Sequence, residues 1–246
     1  MNTIAFIPAR LGSSRFPRKV LADISGKTML QRVYEGSQVS CIDKLYITTC
    51  DDEIADHAKE IGAKVIMTSK EHTRCLDRVA EAYSKLTEND LNTNIICIQG
   101  DEPLVDEEIV RDFVDKYKSY NYRFAVSSVQ INSAEEFQDP DIVKIIWNEA
   151  MKMVYTSRSP IPYLKEFQRA YAWKIFGMFG FKPDTLKVFN DTRPSKLEII
   201  ESCDTNRICG LTNIEQYVIP FKSTKYYQSV DNLSNIDRVR SLLSKE

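Results

Sequence analysis

The loop Pro8-Ala9-Arg10-Leu11-Gly12-Ser13-Ser14-Arg15-Phe16-Pro17-Arg18-Lys19 gathers four cations, Arg10, Arg15, Arg18 and Lys19, in one short stretch. A guanidinium grips two phosphate oxygens at once, and an ammonium adds a compact positive charge. Gly12 and the two serines let a ligand approach the backbone, whose free N–H groups can form an anion nest. That chemistry suits a triphosphate. Neither GxxxxGK[ST] nor GxGxxG is present, so this is not a Walker loop or a dinucleotide fingerprint. The same residues also fit a solvated basic turn, and the loop alone does not separate the two readings.

A second group of chemically capable residues is Gln99-Gly100-Asp101-Glu102-Pro103. Asp101 follows a strongly apolar run, and a carboxylate at such a strand end can hold Mg²⁺ beside phosphate oxygens. It can equally start a turn or cap the next helix.

The elements around these groups alternate. Residues 3–8 read as a strand that runs into the basic loop. Helices are expected at 28–39, 51–61, 73–86 and 106–117, and strands at 44–49, 64–68 and 94–99. Repeated strand–helix alternation predicts an α/β fold with a mostly parallel sheet and helices on both faces. Both groups then lie at the carboxyl ends of parallel strands, where open α/β sheets bind ligands. The second half is less regular, with strands expected at 124–130, 143–147, 174–181 and 216–221 and helices at 196–206 and 235–243. These strands are expected to add antiparallel members to the sheet. No linker or repeat interrupts the 246 residues, so 1–246 reads as one domain.

Composition excludes several classes. Hydrophobic residues make up 43% of the chain, enough for a core, and the net charge is −2. No basic field points to nucleic acid or an anionic membrane. Six cysteines without a CxxC pair, and only two histidines, argue against structural zinc. No stretch has the length of a membrane span, and no signal peptide is visible, so a soluble cytoplasmic protein is expected. His72 is expected at a helix start on the surface, Trp147 and Trp173 in packing, and 178–181 in the core.

The two groups together resemble the cytidylyltransferases that activate acidic sugars, above all the 3-deoxy-manno-octulosonate (KDO) cytidylyltransferase family. The resemblance rests on I-P-A-R-x-x-S-x-R-x-P-x-K in the loop and on Gln99-Gly100-Asp101-Glu102-Pro103. Further along, Pro140-Asp141-Ile142-Val143-Lys144 is similar to P-x-x-V-K, and Tyr155 to Pro162 is similar to Y-F-S-R-x-x-I-P. Ser229-Val230-Asp231, followed by Asn235 to Val239, is similar to the family's V-D-T-P-E-D-L-x-x-V tail. The resemblance implies a Rossmann-like sheet of the nucleotide-diphospho-sugar transferase type. It implies transfer of CMP from CTP to an acidic sugar, with pyrophosphate leaving, in surface polysaccharide synthesis. Arg10, Arg15 and Lys19 would neutralise the phosphates, with Ser13 helping to hold them. Asp101 and Asp231 would hold Mg²⁺, and Ala9, Arg10 and Gln99 would lie near the base. Arg158, Glu198, Glu201 and Asp204 become candidates for the acceptor side. Arg158 fits a surface ion pair equally well, and the acidic residues fit a solvated helix face. A homodimer is implied, with residues 139–171 as the candidate interface.

Four departures from the family stand out. Arg74-Cys75-Leu76-Asp77-Arg78 replaces S-G-T-[DE]-R and is closer to spore-coat polysaccharide cytidylyltransferase-like proteins. Ile175-Phe176-Gly177-Met178-Phe179-Gly180-Phe181 replaces H-x-G-x-Y-x-Y, so a histidine and two tyrosine hydroxyls are lost. Cys203-Asp204-Thr205-Asn206-Arg207 replaces L-E-Q-L-R, and Asn232-Leu233 replaces the T-P of the tail. Three of the four fall on the acceptor side or near the base. They therefore leave open a different small acid (an amino sugar acid, or a phosphorylated or phosphonate acceptor), and also a non-catalytic nucleotide-binding homologue.

Overall fold

The computed structural model describes residues 2–12, 16–86, 91–211, 213–222 and 225–244; Ser13 and Arg15 therefore lie outside the described residues. The first half runs β1 (Thr3–Pro8), a 3-10 turn (Lys19–Leu21), the short hairpin β2 (Asp23–Ile24) and β3 (Lys27–Thr28), and α1 (Met29–Gly36). It continues through β4 (Lys44–Thr49), α2 (Asp52–Glu60), β5 (Lys64–Met67), α3 (Cys75–Ser84), β6 (Asn94–Ile98) and α4 (Glu107–Tyr120). The second half runs β7 (Phe124–Gln130), α5 (Ala134–Gln138), β8 (Lys144–Trp147), β9 (Met153–Ser157), a 3-10 turn (Arg169–Tyr171) and β10 (Trp173–Phe181). It ends with α6 (Pro183–Asp191), α7 (Lys196–Glu201), α8 (Thr205–Cys209), β11 (Gln216–Phe221) and α9 (Leu233–Leu243).

The main sheet has the order β11-β7-β10-β6-β1-β4-β5, with β8 pairing β10 and β9 pairing β8. Strands β6, β1, β4 and β5 form the expected parallel block. Strand β10 inserts antiparallel between β6 and β7. Alternate residues of β1 serve opposite faces. Ala5 and Ile7 join one core with Leu30, Ile54, Ile109 and Val239, from α1, α2, α4 and α9. Ile4 and Phe6 join the other with Leu76, Leu186 and Ile208, from α3, α6 and α8. Two covered faces explain why β1 and β6 are buried along their whole length.

The helix expected over 196–206 is two helices. A capping box of Ser195 and Glu198 starts α7, and Ser202 ends it in the left-handed conformation, φ 52°. That break sends Asp204 toward α3 and is felt at the site below. None of the described helices is long and apolar enough to cross a membrane.

Candidate active site

A cavity of about 640 Å³ opens where β1 and β6 end, within the size range of small-molecule sites. Pro8, Ala9 and Arg10 leave β1 on one side, and Gln99, Gly100 and Asp101 leave β6 beside them. The two exits pack backbone to backbone: a Cβ on Gly100 would stand 2.9 Å from the Pro8 carbonyl oxygen. The Ala9 N–H donates to Thr48 O at 2.9 Å, and the Leu11 N–H to the Asp51 carboxylate at 2.8 Å, so the start of the loop is anchored. Arg10 is exposed at the cavity and makes no hydrogen bond or ion pair among the described residues. Arg18 turns outward to pair with Glu53 of α2.

Lys19 does the opposite. Its Nζ donates to Asp101 Oδ2 at 2.8 Å, to Asp231 Oδ1 at 3.2 Å and to Val230 O at 3.0 Å. Burial opposes the charged ammonium, yet the two carboxylates outweigh it and hold the pKa above the ordinary lysine value. Two aspartates from distant parts of the chain thus converge closely enough to share one cation. Their hard oxygen donors suit Mg²⁺.

Glu102, to which the sequence reading gave no role, lies beneath this pair. Its side chain is 2% exposed. Oε1 accepts from Ser229 Oγ at 2.7 Å and from the Gly177 N–H at 3.0 Å, while Oε2 has no partner among the described residues. Burial, reinforced by Asp101, pushes its pKa up to about 8. The Asp101 carbonyl accepts the Val230 N–H at 2.9 Å, and Asn235 Oδ1 accepts the Asp231 N–H at 2.9 Å. The buried Lys174, beside Glu102 in the cavity wall, donates to Tyr227 O at 2.9 Å and pairs with Glu136. Burial lowers its pKa against the pull of Glu136 and Glu102. The available signal for Glu102 was a carboxylate wedged between a buried strand end and a proline.

Gln99 is held in place along its length. Its N–H donates to Gly177 O at 2.7 Å, and Nε2 contacts Cys75 Sγ at 3.1 Å. Asp204 also lines this part of the cavity, but its Oδ2 accepts from the Leu76 N–H and from Cys75 Sγ, both at 3.3 Å. It thereby caps the N-terminus of α3 from a distant segment, satisfying an otherwise unpaired helix donor. Arg74 stands 3.8 Å from it. Burial raises the Asp204 pKa against those two hydrogen bonds.

The other acceptor-side expectations are redistributed. Arg158 lines the cavity, but its guanidinium clamps backbone: Nε donates to Glu201 O at 2.8 Å, and Nη1 to Pro140 O at 2.9 Å. Glu201 does not line the cavity. Its carboxylate accepts from Tyr155 OH, Ser157 Oγ and the Arg158 N–H, at 2.9, 2.8 and 2.9 Å. Glu198 is neither at the cavity nor on a solvated face: it is buried and paired with Arg207 at 2.6 Å. Ile175 and Phe179 of β10 do line the cavity, whereas Phe181 packs in the core against Phe124. His72 is half-buried and bonded to Glu81 of α3 rather than free on the surface.

Comparison with known proteins agrees with this geometry. The cytidylyltransferase family profile matches residues 4–218. A 3-deoxy-manno-octulosonate cytidylyltransferase of Haemophilus influenzae is 35% identical over 257 residues, covering 100% of both chains. One from Thermodesulfovibrio yellowstonii is 37% identical over 218 residues, covering 84% of this chain and 86% of that protein. A CMP:2-keto-3-deoxy-manno-octonic acid synthetase solved in complex with CTP superposes with a TM-score of 0.86 at 30% identity, over 100% of this chain and 99% of that one. With the fold, the cavity and these relatives in agreement, the chain is a nucleotidyltransferase of the cytidylyltransferase family, the one that includes the 3-deoxy-manno-octulosonate cytidylyltransferases.

Proposed function

We propose that this chain transfers CMP from CTP to KDO or a related 3-deoxy-2-ulosonic acid, releasing pyrophosphate, in the synthesis of a surface polysaccharide. The observation that carries the reading is Lys19 held between Asp101 and Asp231 at the mouth of the β1 and β6 exits. A hydroxyl oxygen of the acceptor forms a bond to the α-phosphorus of CTP. The bond between that phosphorus and the bridging oxygen of the β-phosphate breaks, and pyrophosphate departs. The hydroxyl proton leaves toward the Asp101 and Asp231 carboxylates. Arg10, Arg15, Lys19 and Ser13 bind the phosphates, and Ala9 and Gln99 border the base. Most of the rate gain then comes from alignment and fixed charge.

Asp101 and Asp231 would hold Mg²⁺, which when bound supplies charge neutralisation at the reacting phosphate. The close approach of the two carboxylates to one cation supports that assignment. The relatives named for 3-deoxy-manno-octulosonate support the sugar acid. We also read the active form as a homodimer using residues 139–171. Exposed Val154, Tyr163 and Tyr171 fall in that segment and support the reading, which light scattering would test.

One observation favours a second acceptor, a different small acid. Ile175 and Phe179 present no hydrogen-bonding side-chain atoms to the cavity. A site that hydrogen-bonds a hydroxyl discriminates strongly, and a wall without such groups selects differently. The test is pyrophosphate release with Mg²⁺ and each of four NTPs against a panel of acidic sugars and small phosphorylated acids. Release with CTP and KDO, abolished in Asp101→Ala, is the expected result. Release with CTP and only another acid would keep the transfer and replace the acceptor, and no CTP-dependent release across the panel would overturn the proposal.

A further inference from the structure

The Asp101 carboxylate stands on the exit of β6, and the Asp231 carboxylate on a segment from the far end of the chain. Two bonds join the segments directly without using either carboxylate. The Val230 N–H donates to Asp101 O at 2.9 Å, and Ser229 Oγ donates to Glu102 Oε1 at 2.7 Å. The same Glu102 oxygen takes the Gly177 N–H of β10 at 3.0 Å. Gly177 is itself fixed to the β6 exit, because its carbonyl accepts the Gln99 N–H at 2.7 Å. On its other side, Asp231 is held by Asn235 through its own N–H.

Glu102 is an expensive residue for this place. It buries a carboxyl at 2% exposure and leaves one oxygen without a partner among the described residues. An apolar side chain would fill the volume without that desolvation penalty. What the carboxyl adds is orientation, because one oxygen fixes two donors on two different segments.

We propose that Glu102 is a positioning residue: through Ser229 and Gly177 its carboxyl fixes the segment carrying Asp231 against Asp101, and so sets the separation of the two aspartates. The proposal rests on Asp101 and Asp231 being cation ligands. Partners that orient metal ligands typically change affinity by ~10–100-fold when lost.

The test is Mn²⁺ binding, followed by electron paramagnetic resonance with and without CTP, alongside thermal midpoints. Ser229→Ala removes the hydroxyl while leaving Glu102 in place. Its Mn²⁺ dissociation constant is expected to rise about tenfold with the thermal midpoint little changed. Ser229→Thr keeps a hydroxyl and is expected to restore binding. Glu102→Leu is expected to show a similar loss, with no further loss in the double variant. If Glu102→Leu fails to fold, the two Ser229 variants decide. Equal Mn²⁺ binding by wild type and Ser229→Ala would overturn this proposal alone. No Mn²⁺ binding by the wild type, with or without CTP, would overturn the metal assignment and this proposal with it.

Discussion

Lys19 Nζ lies 2.8 Å from Asp101 Oδ2, and this contact is the hinge of the site's electrostatics. The ammonium also reaches Asp231 and so keeps two neighbouring carboxylates from facing each other unscreened. Lys19→Met removes that charge. The variant is expected to melt at a lower temperature than wild type in EDTA, and to regain more stability than wild type on adding Mg²⁺. Turnover should fall about 100–1,000-fold, the range for losing a charge-stabilising donor at a reacting group. Thermal melts with and without Mg²⁺ check the first expectation. An equal Mg²⁺ shift in the two proteins would mean that Lys19 does not offset repulsion between the aspartates.

Gly177 is required by packing, not by an unusual φ. A Cβ there would stand 2.6 Å from Gln99 Oε1 and 2.7 Å from Gln99 Cβ. Gln99 cannot simply withdraw, because its N–H is bonded to Gly177 O. Gly177→Ala should cost about 1–3 kcal/mol, as overpacking does, and raise the KM for CTP by displacing Gln99. Gly180→Ala presses instead on the buried Tyr117 ring, at 2.7 Å. It should lose stability without the change in KM, and similar CTP kinetics for the two variants would contradict the role given to Gln99.

The parallel block was legible because each strand is a short apolar run closed by polar or loop-forming residues. The strands at 124–130 and 216–221 coincide with β7 and β11 to the residue. Helix α6 is not legible in the sequence because it follows β10 almost directly and begins with Pro183, which a first helical turn tolerates. The break at Ser202 also has no strong local signal, since neither Gly nor Pro marks it. One helix over 196–206 would carry Glu198, Glu201 and Asp204 together, whether toward the acceptor, as the resemblance implies, or on a solvated face. Partners 40 or more residues away, Tyr155 and Ser157 for Glu201 and Leu76 for Asp204, pull them apart. The pairing of Asp101 with Asp231 came from the family resemblance alone, because no periodicity connects such distant positions. Glu102 remained hidden because its function is contact geometry, which a single letter does not carry.

Arg207 is 3% exposed and holds two carboxylates, Glu198 at 2.6 Å and Asp77 at 2.7 Å, with Phe189 under its guanidinium at 4.1 Å. It ties α3, α7 and α8 together, and α8 follows the Asp204 cap. Arg207→Met strands the buried Glu198 carboxylate and should cost about 3–5 kcal/mol. Arg207→Lys keeps the charge but loses the planar fork, so it should recover only part of the loss. Urea denaturation measures both. Full recovery by lysine would mean that charge alone, without the forked geometry, holds these helices.

Glu81 gives the chain an identifiable acid sensitivity. Burial works against its ionised form, but Lys85, the Ser69 N–H and His72 outweigh it and hold the pKa down at about 2. The folded state therefore binds fewer protons than the unfolded chain between the ordinary glutamate value and about 2. Stability from this group is fully present above that ordinary value. It is lost as pH falls through the window, because the unfolded chain takes up the proton first. Partial exposure weakens the effect, so roughly 1–2 kcal/mol is expected, below the full linkage value. Glu81→Gln removes the titration. Its stability should drop less steeply than that of wild type between pH 4.5 and pH 2, as followed by urea midpoints at successive pH values. Parallel acid limbs for the two proteins would show that Glu81 is not held ionised by Lys85, Ser69 and His72.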